Sequence, residues 1–242
     1  MKNFALTNLL ILSIVLFTNG ACAQSNRITN KNYNVTAFSA LVSNTVGNIE
    51  FTQSPNYSVS AEGDEEMVNN LIVNVKDNKL NVSMKKDLKR MFGNRQSGKL
   101  VIRISSPNLS LIESDGVGTL ELKGRLDAPQ FKIVSTGVGN INVRDLASDN
   151  IDITSDGVGN IEMKGSATSV SVASKGVGNV KLENLKAARA KIESGGVGNV
   201  TCHATESVDI NADGIGNVTY YGNPITKNIR KNGIGKVKSG NQ

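Results

Sequence analysis

Ile151-Asp152-Ile153-Thr154-Ser155-Asp156-Gly157-Val158-Gly159-Asn160-Ile161-Glu162-Met163-Lys164-Gly165 is the stretch that decides the fold of this chain. Its outer parts alternate apolar and polar residues, the period-two signal of strands with one buried face. Between them two glycines bracket a single valine. Glycine lets the backbone bend without a Cβ clash, so the stretch reads as strand, bend, strand, with the bracketed valine pointing inward. The phrase occurs seven times, with first glycines at Gly116, Gly137, Gly157, Gly176, Gly196, Gly214 and Gly233. Their spacings are 21, 20, 19, 20, 18 and 19 residues. The second glycines are Gly118, Gly139, Gly159, Gly178, Gly198, Gly216 and Gly235. A period near 20 over half the chain is the mark of a solenoid. One coil cannot bury its own apolar edge. Stacking coil on coil buries it and pairs each backbone N–H and C=O with the next coil. The expected fold is all-β, a parallel β-helix with coils about 4.8 Å apart.

Stacking predicts columns. One apolar column is Leu120, Ile141, Ile161, Val180, Val200 and Val218, and a second is Leu122, Val143, Met163, Leu182, Cys202 and Tyr220. The bracketed residues, Val117, Val138, Val158, Val177, Val197, Ile215 and Ile234, form the third, also expected inside. Asn140, Asn160, Asn179, Asn199 and Asn217 form a ladder in which side-chain amides hydrogen-bond along the axis. Thr119 and Lys236 stand at its two ends. Ser114, Ser135, Ser155, Ser174 and Ser194 precede the bends, and Ala212 ends that series. Leu146-Ala147-Ser148-Asp149 is expected to be a looser corner. Gly157 is expected to need a backbone conformation closed to β-branched residues.

Residues 1–23 read as a signal peptide: a basic start at Lys2, a short apolar run from Phe4 to Phe17, and a small-residue region Asn19-Gly20-Ala21-Cys22-Ala23. Ala21 and Ala23 fit cleavage before Gln24. Lipidation at Cys22 is the alternative, less favoured because Asn19 replaces the usual leucine-like residue. Both exits make the protein exported. No later segment is long and apolar enough to span a membrane as a helix. The net charge is +6, mild and spread along the chain. It permits contact with anionic surfaces without requiring it. Trp is absent and aromatics are 4 %, so Val, Ile and Leu must build the core. With Cys22 cleaved off or lipidated, Cys202 has no disulfide partner.

Residues 24–30 read as a short linker and 31–239 as one domain. Residues 31–110 are irregular first coils and a cap, and 111–239 are the regular coils. Val46-Gly47-Asn48-Ile49-Glu50-Phe51 is a degenerate copy of the phrase. Leu71 to Val75 and Leu80 to Met84 read as strands around a tight turn at Asp77-Asn78, with a helical turn or two over Glu65 to Asn70. Lys236-Val237-Lys238 puts charge on the last strand, which discourages edge-to-edge growth.

Motifs for chemistry are few. Gly93 to Lys99 matches a phosphate-binding loop, but Leu100 stands where a Ser or Thr is needed and a strand follows. Lys85, Lys86, Lys89, Arg90, Arg95 and Lys99 form a basic cluster opposed only by Asp87. It reads as a solvated loop, and is the candidate contact for an anionic partner. It lacks the aromatic interleaving of a nucleic-acid site. Asp115, Asp156 and Asp213 precede the glycine pair in three coils, but Asp115 and Asp156 lie two coils apart, about 10 Å. His203 is the only histidine and alternates outward from Cys202, so the two form no dyad. No catalytic, cofactor or metal site is expected.

The Gly-Val-Gly-Asn-Ile phrase at 137–141 and 157–161, the Phe38-Ser39-Ala40-Leu41-Val42 strand and the Pro107-Asn108-Leu109 run resemble the head GIN domain family of auto-transporter adhesins, common in Bacteroidetes. The resemblance covers roughly residues 31–239. It implies a right-handed β-helix and an envelope or surface location. These 242 residues hold neither a heptad stalk nor a membrane-barrel segment, so self-export by the auto-transporter route is not expected. The reading is a non-enzymatic exported envelope or surface binding protein, adhesin-like, whose partner is a glycan, a matrix protein or an envelope component. A self-assembling envelope scaffold and a carbohydrate-active β-helix enzyme are the alternatives. The oligomeric state is open.

Overall fold

A computed structural model describes residues 27–85 and 99–240. The leader, with both exits proposed for it, lies outside these residues. So do Lys86, Lys89, Arg90 and Arg95 of the basic cluster.

The architecture is a parallel β-helix of about six turns. Each regular coil joins the strand after one glycine pair to the strand before the next. The two are continuous in β11 (Val138–Ser155), β12 (Ile161–Ser174), β13 (Val180–Ser194) and β14 (Val200–Ala212). β11 pairs in parallel with β12, β12 with β13, and β13 with β14. The stack then runs on through β15 (Val218–Tyr221), β16 (Thr226–Lys231) and β17 (Val237–Ser239). Residues of like phase therefore sit one above another. Leu41, Ile112, Ile133, Ile153, Val172, Ile192 and Ile210 form one such inward column, and all are buried. Both apolar columns expected after the glycines are buried throughout, from Leu120 and Leu122 to Val218 and Tyr220.

The corner at Leu146-Ala147-Ser148-Asp149 is not a loop. It lies within β11, where a register shift bends the strand between Val143 and Leu146. Such a bulge turns a strand without breaking its ladder. Leu146 is fully buried and pairs in register with Leu126 below it. The corner therefore adds a third side to the core.

The first 110 residues are woven into the same stack. β1 (Ile28–Tyr33) begins inside the stretch expected as linker, so residues 28–30 belong to the first strand. β2 (Ala40–Asn44) and β3 (Asn48–Gln53) form a coil around Val46-Gly47, as the degenerate phrase suggests. The next coil up is β8 (Leu111–Ser114) and β9 (Val117–Asp127), with Val46 bridged to Val117. β10 (Gln130–Ser135) follows and pairs with β8 and β11. Between β3 and β8 the chain makes the cap. It runs through β4 (Ser58–Asp64), α1 (Glu65–Asn70), β5 (Leu71–Lys76), β6 (Lys79–Met84) and β7 (Leu100–Ser106). β6 and β7 return beneath β2 and β3 in parallel, while β4 and β5 close over them antiparallel. Asp77 and Asn78, at φ 52° and 61°, form the two-residue turn of the β5–β6 hairpin. The change from parallel to antiparallel pairing ends the coil repeat at this end of the rod.

The last coil differs. Every residue of β16 is exposed, including Ile229, which continues the column of Ile210. Residues 222–240 carry Lys227, Arg230, Lys231, Lys236 and Lys238 and no acidic residue. That single sign of charge disfavours edge pairing with a second copy.

Candidate binding face

Strand parity continues through the bend. Ser155 and Ile161 point inward, so Gly157 and Gly159 fall on inward positions between them and Val158 falls outward. The same count of three separates every bracketed Val or Ile from the inward residue after it, buried in six coils and half-buried at Val237. The bracketed column is therefore on the surface and not in the core. Val117, Val138, Val158, Val177, Val197, Ile215 and Ile234 are 46–73 % exposed. They bridge in sequence up the rod, with β9 and β11 supplying the first step. The result is an apolar ridge seven tiers long, roughly 29 Å at the spacing of adjacent strands. It ends at Val46, which is partly buried against the core.

The glycines make this ridge possible by letting successive bends touch. A Cβ on Gly157 would lie 2.2 Å from the Gly137 carbonyl oxygen, and one on Gly159 only 1.7 Å from that of Gly139. Gly159 also has φ +147°, a region closed to side-chain-bearing residues. Gly157 has no such φ, so its requirement is close approach and not backbone conformation.

Two residues beyond the ridge, on the same face, runs the amide column. Asn160 donates from its backbone N and from Nδ2 to Asn140 Oδ1, at 3.1 and 3.0 Å. Asn179, Asn199 and Asn217 repeat both bonds on the coil below, and Lys236 N closes the series on Asn217 Oδ1. The column begins lower than its sequence suggested, because Asn48 Oδ1 accepts from Thr119 N at 3.0 Å. The serine series likewise starts at buried Ser43, in register with Ser114. The Val46-Gly47-Asn48 copy was the signal for both.

The flanks of the face carry both signs. Asp115, Asp156 and Asp213 lie on one side, with Lys175 among them. Asp115 accepts from Thr136 Oγ1 at 3.0 Å, and Asp213 accepts from Asn211 and Asn232. On the other side Glu121 is paired with Arg144, and Glu162 with Lys164 at 3.3 Å. Asp115 and Asp213 are engaged in hydrogen bonds at the turns, and Glu121 and Glu162 in exposed pairs, which contribute little to stability. On another side of the rod an open depression of about 480 Å³ is lined by Asp152, Ser171, Arg189, Lys191 and Asp209 among others. Its two acids are separated by Ser171 and Lys191, three rungs or about 14 Å, wider than a glycosidase pair. Among the described residues no cluster of three His, Cys, Asp or Glu can hold a metal.

Cys202 is fully buried in the second apolar column, and burial pushes its thiol up to about 12. His203 faces the other way. Partial burial, then the neighbouring Lys186 charge, hold it below the usual imidazole range. Of the basic cluster, Lys85 and Lys99 are described. They stand at the end of β6 and just before β7. No described helix is long and apolar enough to cross a membrane.

These features, a seven-tier outward apolar ridge beside an amide ladder, define a parallel β-helical protein with one candidate binding face. Residues 37–224 match the family described as "putative auto-transporter adhesin, head GIN domain", and the chain belongs to that family. It is similar to the crystal structure of a protein titled a putative adhesin from Bacteroides fragilis, with 35 % identity and a TM-score of 0.81. The likeness covers 89 % of this chain and 98 % of that one. A protein titled a putative lipid binding protein from Parabacteroides distasonis shares the fold at 20 % identity and a TM-score of 0.65, over 88 % of this chain and 97 % of its own. Among curated protein sequences none matches.

Proposed function

We propose that this chain is a non-enzymatic exported protein that binds a partner at the cell surface, in the manner of an adhesin. The observation that carries the reading is the ridge Val117 to Ile234. Seven aliphatic side chains about half exposed in one unbroken line amount to roughly 500 Å² of apolar surface, at the upper end for a monomer's largest patch. A monomer's largest apolar patch is often functional at that size. The leader-like N-terminus and the family support export. The name of the Parabacteroides distasonis neighbour adds lipid to the ligand classes to be screened.

A self-assembling scaffold is less well supported. The uniformly basic last coil repels its own copy, and the antiparallel cap offers no parallel coil to receive it. The basic stretch from Lys85 to Lys99 remains a candidate contact for an anionic partner, secondary to the ridge.

Labelling of intact cells with a membrane-impermeant amine reagent tests the location. The protein is expected to be modified while a periplasmic control is spared. Modification only after the outer membrane is opened would place it in the periplasm and favour the scaffold reading.

A further inference from the structure

We infer that the valine ridge and the asparagine column together bind a neutral polysaccharide laid along the rod axis; this rests on the surface-binding reading and names its ligand class. Each amide oxygen from Asn140 to Asn199 accepts twice, from the backbone N and from Nδ2 of the next asparagine. Asn160 Oδ1, for example, takes Asn179 N at 3.1 Å and Nδ2 at 3.0 Å. Both lone pairs are then used. The backbone N–H fixes which end of the amide is oxygen, because only oxygen can accept from it. Each Nδ2 has two hydrogens, and from Asn160 to Asn217 the ladder uses one. From Asn160 to Asn199 the column therefore offers the solvent a row of N–H donors whose amide oxygens are already saturated, repeating at the coil rise of about 4.8 Å.

A matching ligand must present acceptors at short, regular intervals and an apolar face beside them. A second copy of the chain fails, since donors would meet donors. The ridge also supplies roughly 500 Å² against the ~800 Å² per partner of a standard stable interface. An extended peptide alternates donors and acceptors along each edge, so half of its groups would be mismatched. An acyl chain has no acceptors along its length. An anionic polymer meets Asp115, Asp156 and Asp213 along one flank, with Lys175 the lone cation in that column, and no single-sign field attracts it. Uncharged sugar rings satisfy the whole set. Their C–H faces cover Val158, Val177 and Val197, and their hydroxyl and ring oxygens accept from Asn160, Asn179 and Asn199.

The test uses the chain from Gln24 onward and its triple variant Val158→Glu, Val177→Glu, Val197→Glu. The probes are curdlan, mannan and cellulose, with alginate and heparin, phosphatidylcholine vesicles, and fibronectin and collagen as competing classes. All three positions are exposed, so the variant should keep its circular dichroism, with a modest fall in melting temperature from like charges on adjacent tiers. Wild-type protein is expected to sediment with at least one neutral polysaccharide, and the variant to lose roughly tenfold or more in affinity. Binding only to the acidic polymers, the vesicles or the matrix proteins would overturn the polysaccharide inference and leave surface binding standing. Neutral-polysaccharide binding that the triple variant does not change would overturn the placement on this ridge. A concentration-dependent dimer abolished by the variant would make the occupant a second copy. Binding to none of the probes would remove both this inference and the reading it rests on.

Discussion

Gly159→Val is expected to destabilise the rod by about 4 kcal/mol or more, among the largest effects a single substitution produces. Two penalties coincide. Gly159 sits at φ +147°, where a β-branched side chain is strained. Its Cβ would also lie 1.7 Å from the Gly139 carbonyl oxygen and 2.6 Å from the Gly139 carbonyl carbon. Those are backbone atoms and cannot swing aside. To make room, coils 138–155 and 161–174 would have to part at the bend, breaking the bond from Gly139 N to Val158 O. Gly157→Val should be severe for the second reason alone. Lys164→Ala, which removes an exposed pair with Glu162, should change little. Thermal unfolding checks this. The Gly159 variant should melt roughly 10 °C or more below Lys164→Ala. Equal midpoints would mean that the coils do not touch at the glycine pair.

The second large effect concerns the column running from Leu41 to Ile210. Ile192→Ala removes a fully buried side chain held between Val172 and Ile210 in neighbouring coils. Continuous ladders above and below prevent collapse into the gap, so the cost should be about 3 kcal/mol. Ile229→Ala lies in the same column one coil beyond Ile210, but Ile229 is already 41 % exposed. Its cost should stay below about 1 kcal/mol. Urea unfolding of the two variants measures the difference. Comparable losses would show that the last coil is as well covered as the middle of the rod.

The fold was legible because a 20-residue period leaves few alternatives, and the two inner columns followed from alternation alone. The outward turn of Val158 was legible too, through its odd separation from Ile161, but glycine flanks suggested a tight bend that resets parity. No reset occurs. Gly157 and Gly159 keep inward phase because absence of a side chain is what the inward position requires between touching coils. The corner at Leu146 was obscured for a different reason. A bulge shifts phase by one residue, so a strand that bends reads locally as a loop. The antiparallel cap has no period to read, and its pairings join residues far apart in sequence, such as Ile28 with Asp64. As for the binding face, the sequence marked the residues of both columns. That parity runs unbroken through the bend, and so puts the valines outside, came only with the coil stacking.

That outward orientation is the claim on which the binding face stands, and thiol labelling tests it directly. The chain from Gln24 onward has one cysteine, Cys202, buried and with a thiol held near 12. The folded protein should therefore resist a maleimide at neutral pH and react only in denaturant. Val177→Cys places a second thiol on the ridge. One thiol per folded chain should then react at the rate of an exposed cysteine, with Cys202 still protected. If Val177→Cys reacts no faster than Cys202, the bracketed column lies in the core and the ridge does not exist.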